Sequence, residues 1–287
     1  MVVSGDSNSL AVILFTGGAD SSLAASLALE KHTGGVILLT FKNRYELFIK
    51  RSCLMAKRLQ ERHSPQLVIH KIIDNSCIFN LTVKDNMTPK KYLKNIGLLC
   101  LAERVGIYIQ TVIFCLENKI RHIYDGSNYH QGNAAFPQTP EAITIIKEFF
   151  QNYSLFYGSP IYNYIDLSEV LLFRRGLMKR SELYQAKRLF FKEDSIILFD
   201  LILGLWHKAS NKVHPIFFIE TALQLWGRLT GFKNYSEEIR QKHELKAQVY
   251  LREKLGFAKE YIKSYFIKKD QDKFPALNTG SALCQKC

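Results

Sequence analysis

Leu10-Ala11-Val12-Ile13-Leu14-Phe15-Thr16-Gly17-Gly18-Ala19-Asp20-Ser21-Ser22 is the stretch that decides the fold. Its first six residues form a short, wholly apolar run, the pattern of a strand buried on both faces of a parallel sheet. A glycine-containing loop follows. Then Leu23, Ala24, Leu27 and Ala28 recur at helical spacing, until Gly34-Gly35 closes the helix. Strand, loop and helix in this order form an anion site. Glycine lets the backbone turn tightly and approach a ligand closely. The N–H groups of the loop and first helical turn converge, and the helix dipole favours negative charge there. Thr16, Ser21 and Ser22 add hydroxyl donors. Asp20 is suited either to cap the helix or to hold a Mg²⁺ ion against phosphates. The loop lacks the Gly-Lys-Ser/Thr ending of a Walker A motif, and it is not G-x-G-x-x-G. The plain alternative is a βα turn with a good N-cap; the position between an apolar strand and a small-residue helix favours the phosphate site.

The alternation continues outward from that stretch. Val36 to Phe41, Gln66 to Ile73, Arg121 to Tyr124 and Phe156 to Tyr162 read as further strands. Asn43 to about Glu61, Tyr92 to about Asn118 and Pro140 to Asn152 read as helices, and Asp74 to Pro89 as a long polar loop. After about Asp166 the strand signals fade, and segments near 167–177, 195–207, 214–230 and 236–267 look helical. The expectation is an α/β domain over residues 1–166 and a mainly helical, basic region over 167–287.

Composition narrows the class. With 47% hydrophobic and 23% charged residues, the chain has enough apolar content to build a core, which excludes a disordered or low-complexity protein. No apolar run reaches the roughly 18 residues of a membrane helix, and no basic segment followed by an apolar one marks a signal peptide. The expectation is a soluble, cytoplasmic protein without a membrane partner. Its formal charge is +13, with +9 of this after residue 167, so a polyanionic partner is expected. Cys53, Cys77, Cys100 and Cys115 lie in apolar surroundings and read as buried small hydrophobes. Cys284 and Cys287 form a terminal C-x-x-C. Two thiolates do not complete a tetrahedral zinc site; Zn²⁺ would need His207, His214 or His243, or a second subunit. An unliganded tail and a redox pair are the alternatives.

The loop resembles the S-G-G-x-D-S motif of the PP-loop ATP pyrophosphatase superfamily, with Thr16 in place of the first serine and Gly17, Gly18, Asp20 and Ser21 matching. The resemblance implies a doubly wound parallel sheet that binds ATP and Mg²⁺. It also implies transfer of an adenylate to a substrate oxygen with release of pyrophosphate. Phe15 to Ser22 would hold the nucleotide, with Asp20 and Ser21 catalytic. Within the superfamily the chain is similar to 7-cyano-7-deazaguanine synthase, an enzyme of queuosine biosynthesis. Phe41-Lys42-Asn43-Arg44-Tyr45 looks like that family's aromatic-Gly-Gln-Arg-His, which implies Phe41 for the nucleotide and Arg44 for the substrate. Thr88-Pro89-Lys90-Lys91-Tyr92 falls where that family has Val-Pro-x-Arg-Asn, with Lys91 the catalytic cation. Lysine keeps the charge there but loses the planar fork of arginine. Asp125-Gly126-Ser127-Asn128 stands where the family's fourth strand ends in its nucleotide- and substrate-facing loop. Gln138-Thr139-Pro140 replaces that family's Asp-Cys-Arg, residues that face the substrate.

At the end of a parallel strand, Tyr124 to Asn133 has the composition of a ligand-lining loop. Gly126 and Ser127 are candidates for the nucleotide, and Asn128, His130 and Gln131 for the substrate, with His130 placed as a general base. An exposed turn is the alternative. Arg174-Arg175, Lys179-Arg180 and Lys187-Arg188 form a basic cluster, either for pyrophosphate or simply solvated. From Arg240 to Lys269 the mixed charges favour an ordinary exposed helix. Trp206, Phe217, Phe218 and Trp226 read as core or as a subunit interface, and a homodimer fits. Three functions compete: adenylation of a small acidic or heterocyclic substrate, modification of tRNA by a member of the same superfamily, and non-catalytic sensing of ATP or AMP.

Overall fold

The computed structural model describes residues 10–42, 49–84, 96–129, 136–164, 168–182 and 237–272. Five parallel strands form one sheet in the order β3-β2-β1-β4-β5. They are β1 (Ala11–Leu14), β2 (Val36–Lys42), β3 (Val68–Asp74), β4 (His122–Tyr124) and β5 (Phe156–Gly158). The fold is α/β with helices on both faces, as expected. Each strand matches an expected segment, although β5 stops at Gly158 instead of running to Tyr162. Pro160 cannot donate to a ladder, and the chain turns at Pro160–Asn163.

Helices α1 (Ala19–Lys31) and α2 (Ile49–Arg62) cover one face. They bury Leu23, Leu29, Met55 and Leu59 against Ile13 and Leu38. Helix α6 (Ser168–Arg174) adds Leu172 to that core. Helices α3 (Ser76–Lys84), α4 (Ile96–Glu117) and α5 (Pro140–Gln151) lie on the other face. There Val105, Ile109, Val112, Ile146 and Phe150 pack on Val12 and Ile123. Thr139 caps α5 by accepting from the Ala142 amide at 3.2 Å, with Pro140 in the first turn.

Three expectations change. The segment read as a loop over 74–89 contains α3. The Asp74 carboxylate accepts from the Ser76 amide at 2.8 Å, and Ile78, Phe79 and Thr82 are buried at helical spacing. Its Thr, Val and Asn residues are indifferent helix formers, so packing against α4 decides its conformation. Cys53 is exposed and Cys77 half-buried, because both lie off the apolar stripes of their helices. Cys115 is buried as expected, and burial pushes its thiol up to about 12. The Cys100 side chain lies outside the described residues, as do the segments 195–207 and 214–230.

Helix α7 (Glu237–Asp272) is 36 residues long. The expected exposed helix is instead docked on one side. Ala247, Leu251, Leu255, Ala258 and Ile262 form a stripe buried in the core that α4 and α5 share, and Lys254 is buried beside it with its ammonium 5.7 Å from the Tyr250 ring centre. At its far end Glu117 accepts from Lys269 and from Tyr265. Leu251 is fully buried. Leu251→Ala is expected to cost about 2–5 kcal/mol, read as a lower denaturant midpoint in a single transition. An unchanged midpoint would mean that α7 contributes nothing to the stability of the α/β layers.

Two ion pairs fasten the segment after α6. Arg175 donates to Glu30 of α1, and Arg58 of α2 forms a two-pronged pair with Glu182 at 2.8 and 2.9 Å. Arg58 holds the Glu182 carboxyl below its ordinary value, aided by the Lys179 amide. The folded value lies below the unfolded one, about 4.3. The bridge therefore contributes fully above that pH, and its contribution is lost as the pH falls through the lowered value. Glu182→Gln should lower the melting temperature slightly at pH 7, and its difference from the parent should shrink as the pH falls below the ordinary carboxylate value of about 4.3. A difference independent of pH would exclude the charge as the cause.

Candidate functional site

Strand order reverses direction between β1 and β4. β2 and β3 lie on one side of β1, β4 and β5 on the other. In open parallel sheets the crevice beyond the carboxyl ends of the strands at such a point is where ligands bind. Here that position is occupied by Thr16–Ser22 after β1 and by Asp125–Asn128 after β4.

The first loop is bound to itself. Gly17 has φ +71°, a left-handed conformation, and an added Cβ would lie 2.5 Å from the Ser52 Cα of α2. Only glycine fits there. The Ser21 hydroxyl donates to the Gly18 carbonyl at 3.2 Å and accepts from the Thr16 amide at 3.3 Å. The Thr16 and Ser21 hydroxyls lie 3.1 Å apart. The N-cap is Gly18, with no side-chain cap, so Asp20 does not cap α1 but stands in its first turn. The amides of Gly17 and Ala19 have no acceptor among the described residues. Together with the helix dipole they leave a site for an anion.

Asp20 is half-buried, and its Oδ1 accepts from the Ser168 hydroxyl of α6 at 2.5 Å. A residue distant in sequence thus orients the carboxylate. Phe15 is buried beneath the loop, and Ser22 is fully buried without a hydrogen-bond partner for its hydroxyl. Phe41, at the end of β2, packs against the core on the α4 side.

The β4 loop touches the first loop directly. A Cβ on Gly126 would lie 2.6 Å from the Ser21 nitrogen and 2.7 Å from the Asp20 carbonyl carbon. Beside it is a buried charged group that the sequence patterns did not reveal. Asp125 accepts from Ser127 Oγ at 2.6 Å, from the Ser127 amide at 3.0 Å and from the Tyr157 hydroxyl at 2.5 Å. Arg104 Nη1 of α4 stands 3.9 Å from the same carboxylate. Burial opposes the Arg104 charge, but Tyr108, Asp125 and Tyr157 outweigh it and raise its pKa. Burial, with Asp125, holds the Tyr157 phenol well above its ordinary value. Ser159 Oγ donates to the Asp125 and Ser127 carbonyls, and the Asn128 amide donates to Gln138 Oε1 at 2.9 Å. Ser127 and Asn128 are both buried. The Ser127 hydroxyl serves Asp125, which fixes the shape of the loop. The spacing of Arg104 and Tyr108, one helical turn apart, places those two on one face of α4 but does not point to Asp125 or Tyr157.

The structure thus brings Thr16–Ser22, Gly126 and Ser127 together. Arg44, Lys91, His130, Gln131, Cys284 and Cys287 lie outside the described residues. Among the described residues no three His, Cys, Asp or Glu side chains form a metal cage, and no helix is long and apolar enough to cross a membrane. Mg²⁺ needs no such cage, because it is commonly held by one or two carboxylates plus substrate phosphates. A single Asp20 at the anion site fits that requirement.

No protein-family model matches the chain, and no curated protein matches it in sequence. Among solved structures, the chain is similar to the U34-tRNA thiolase NcsA from Methanococcus maripaludis, determined with its 4Fe-4S cluster. The two are 13% identical, with a TM-score of 0.40, over 79% of this chain and 72% of that one. A likeness at this level leaves function to be argued from this chain's own residues.

Proposed function

We propose that the protein is an ATP-dependent adenylating enzyme of the PP-loop type, similar to 7-cyano-7-deazaguanine synthase in its reaction class. The observation that carries this reading is the contact of Gly126 with the first turn of α1 at the strand-order reversal, beside a glycine loop with unpaired amides. The phosphates of ATP lie on Thr16–Ser22. An oxygen of the substrate, a carboxylate or a ring carbonyl, attacks the α-phosphorus. The new O–P bond forms as the bond to the bridging oxygen breaks, and pyrophosphate leaves. Loop amides and the dipole of α1 stabilise the developing charge. Asp20, held by Ser168, presents a carboxylate for Mg²⁺. When bound, the ion neutralises charge on the phosphates. Lys91 is the proposed cation for the departing pyrophosphate. Arg44, Asn128, His130 and Gln131 are the proposed substrate contacts.

Exchange of labelled pyrophosphate into ATP tests the reaction. Exchange that depends on an added carboxylic acid or heterocycle supports the reading, and ATP binding without exchange under any substrate would replace it with a sensor. The positive charge after residue 167 favours a second reading, a tRNA-modifying enzyme with the same first step. In that case exchange depends on added tRNA.

A further inference from the structure

A groove of about 680 Å³ lies along the edge of the sheet at β5, which pairs with no further strand among the described residues. Lys31 of α1 and Lys147 of α5 flank it from opposite faces of the sheet, and Tyr124, Phe156 and Gln151 line it. Lys31 Nζ lies 5.7 Å from the Tyr124 ring centre and 5.9 Å from that of Phe156. Phe156 is 48% exposed. Among the described residues no carboxylate lines the groove. Lys31 and Arg121 lie close enough to His122, beneath the Phe156 ring, to act on its charge. At its other end the groove reaches Ser159, whose hydroxyl holds the carbonyls of the β4 loop.

Lysines beside an edge strand have an ordinary use, since they discourage pairing with another sheet. That use explains the charge but not an exposed aromatic ring between the lysines, which would promote association. Cations spaced around exposed aromatic rings form instead the pattern that binds single-stranded nucleic acid. The cations meet phosphates, and the ring stacks on a base.

We infer that the β5 edge groove, with Lys31, Lys147 and Phe156, is a docking surface for single-stranded nucleic acid. This goes beyond the adenylation reading, and either can fail alone. Fluorescence anisotropy with labelled 12-nucleotide RNA and DNA, over a salt series, tests it on the full chain. The intact protein should bind with an affinity that falls steeply with salt. Lys31→Glu/Lys147→Glu should weaken binding at least tenfold and flatten the logarithmic salt slope by about 1.4, roughly 0.7 for each phosphate left without its lysine. Phe156→Leu keeps an apolar cover on the edge but removes the ring; it should weaken oligonucleotide binding about 5- to 100-fold, and Phe156→Trp should retain it. Inorganic polyphosphate serves as the charge control, and its binding should be indifferent to Phe156→Leu. Pyrophosphate exchange, measured in the same variants, separates loss of docking from loss of the reaction.

Three results would overturn the inference. One is no oligonucleotide binding by the intact protein at low salt. Another is binding unchanged in the double lysine variant. The third is equal weakening of polyphosphate and oligonucleotide in Phe156→Leu, which would leave the groove a purely ionic surface. Preference for RNA or DNA in the parallel titrations identifies which nucleic acid is taken.

Discussion

Asp20→Asn is expected to slow pyrophosphate release from ATP about a hundredfold or more, with little change in melting temperature. Asparagine keeps the shape of the side chain, and its carbonyl still accepts from Ser168, now 2.5 Å from Oδ1. What it removes is the negative charge in the first turn of α1. The anion site itself survives, because its donors are backbone groups of Gly17 and Ala19 and the helix dipole. Nucleotide binding without Mg²⁺ should therefore change little, whereas the Mg²⁺ concentration needed for half-maximal release should rise. Ser168→Ala should show a weaker form of the same defect, and Ser168→Thr should restore it. Isothermal titration with and without Mg²⁺, alongside a coupled pyrophosphate assay, reads all three. Full activity in Asp20→Asn would rule out a role for this carboxylate in the reaction.

Gly126→Ala should have the second largest effect. The added methyl group would meet backbone atoms of Ser21 and Asp20 at 2.6 and 2.7 Å, and backbone cannot rotate away as a side chain can. Either the β4 loop or the first turn of α1 must move. Overpacking of this kind costs about 1–3 kcal/mol, and here it displaces the proposed phosphate donors as well. ATP affinity should fall at least tenfold, beyond what the loss of stability explains. Gly256→Ala is the matched control. Nothing lies within 4 Å of its added carbon, and in the middle of α7 alanine is the better helix former by about 1 kcal/mol. It should stabilise the protein and leave ATP binding alone. Equal ATP affinity in Gly126→Ala and the parent would separate the β4 loop from the nucleotide site.

The parts of the fold legible in the sequence were those where one pattern dominated. Ala11 to Leu14 is a continuous apolar run that leads into Gly17-Gly18, and Val36 to Phe41, led in by Gly34-Gly35, is broken only by Thr40; a buried parallel strand is their natural form. Helix α3 escaped because its nine residues carry no strong propensity, and its conformation is settled by Asp74 and by packing on α4. The stripe of α7 escaped because Leu245, Val249, Phe257 and Ile267 are apolar yet exposed while Lys254 is buried, which blurs the helical period. At the site, the glycine loop was legible as chemistry. The group of Arg104, Asp125 and Tyr157 was not, because its members come from three elements and meet only in the folded sheet. Ser168 belongs with them. Its residue number places it after the last strand, yet its hydroxyl sits against the first loop.

That contact bears on how the protein is made. The last strand among the described residues is complete once Gly158 has left the ribosome, and from then on the nascent chain holds all five strands of the sheet and both loops of the crevice. Asp20 still lacks its partner at that moment, and the two fasteners at Glu30 and Arg58 await Arg175 and Glu182. The anion site, whose glycine loop emerges first, is therefore completed only after the sheet. Early emergence of the glycine loop does not give early competence, and a chain stalled short of residue 168 would carry the motif in an unset form.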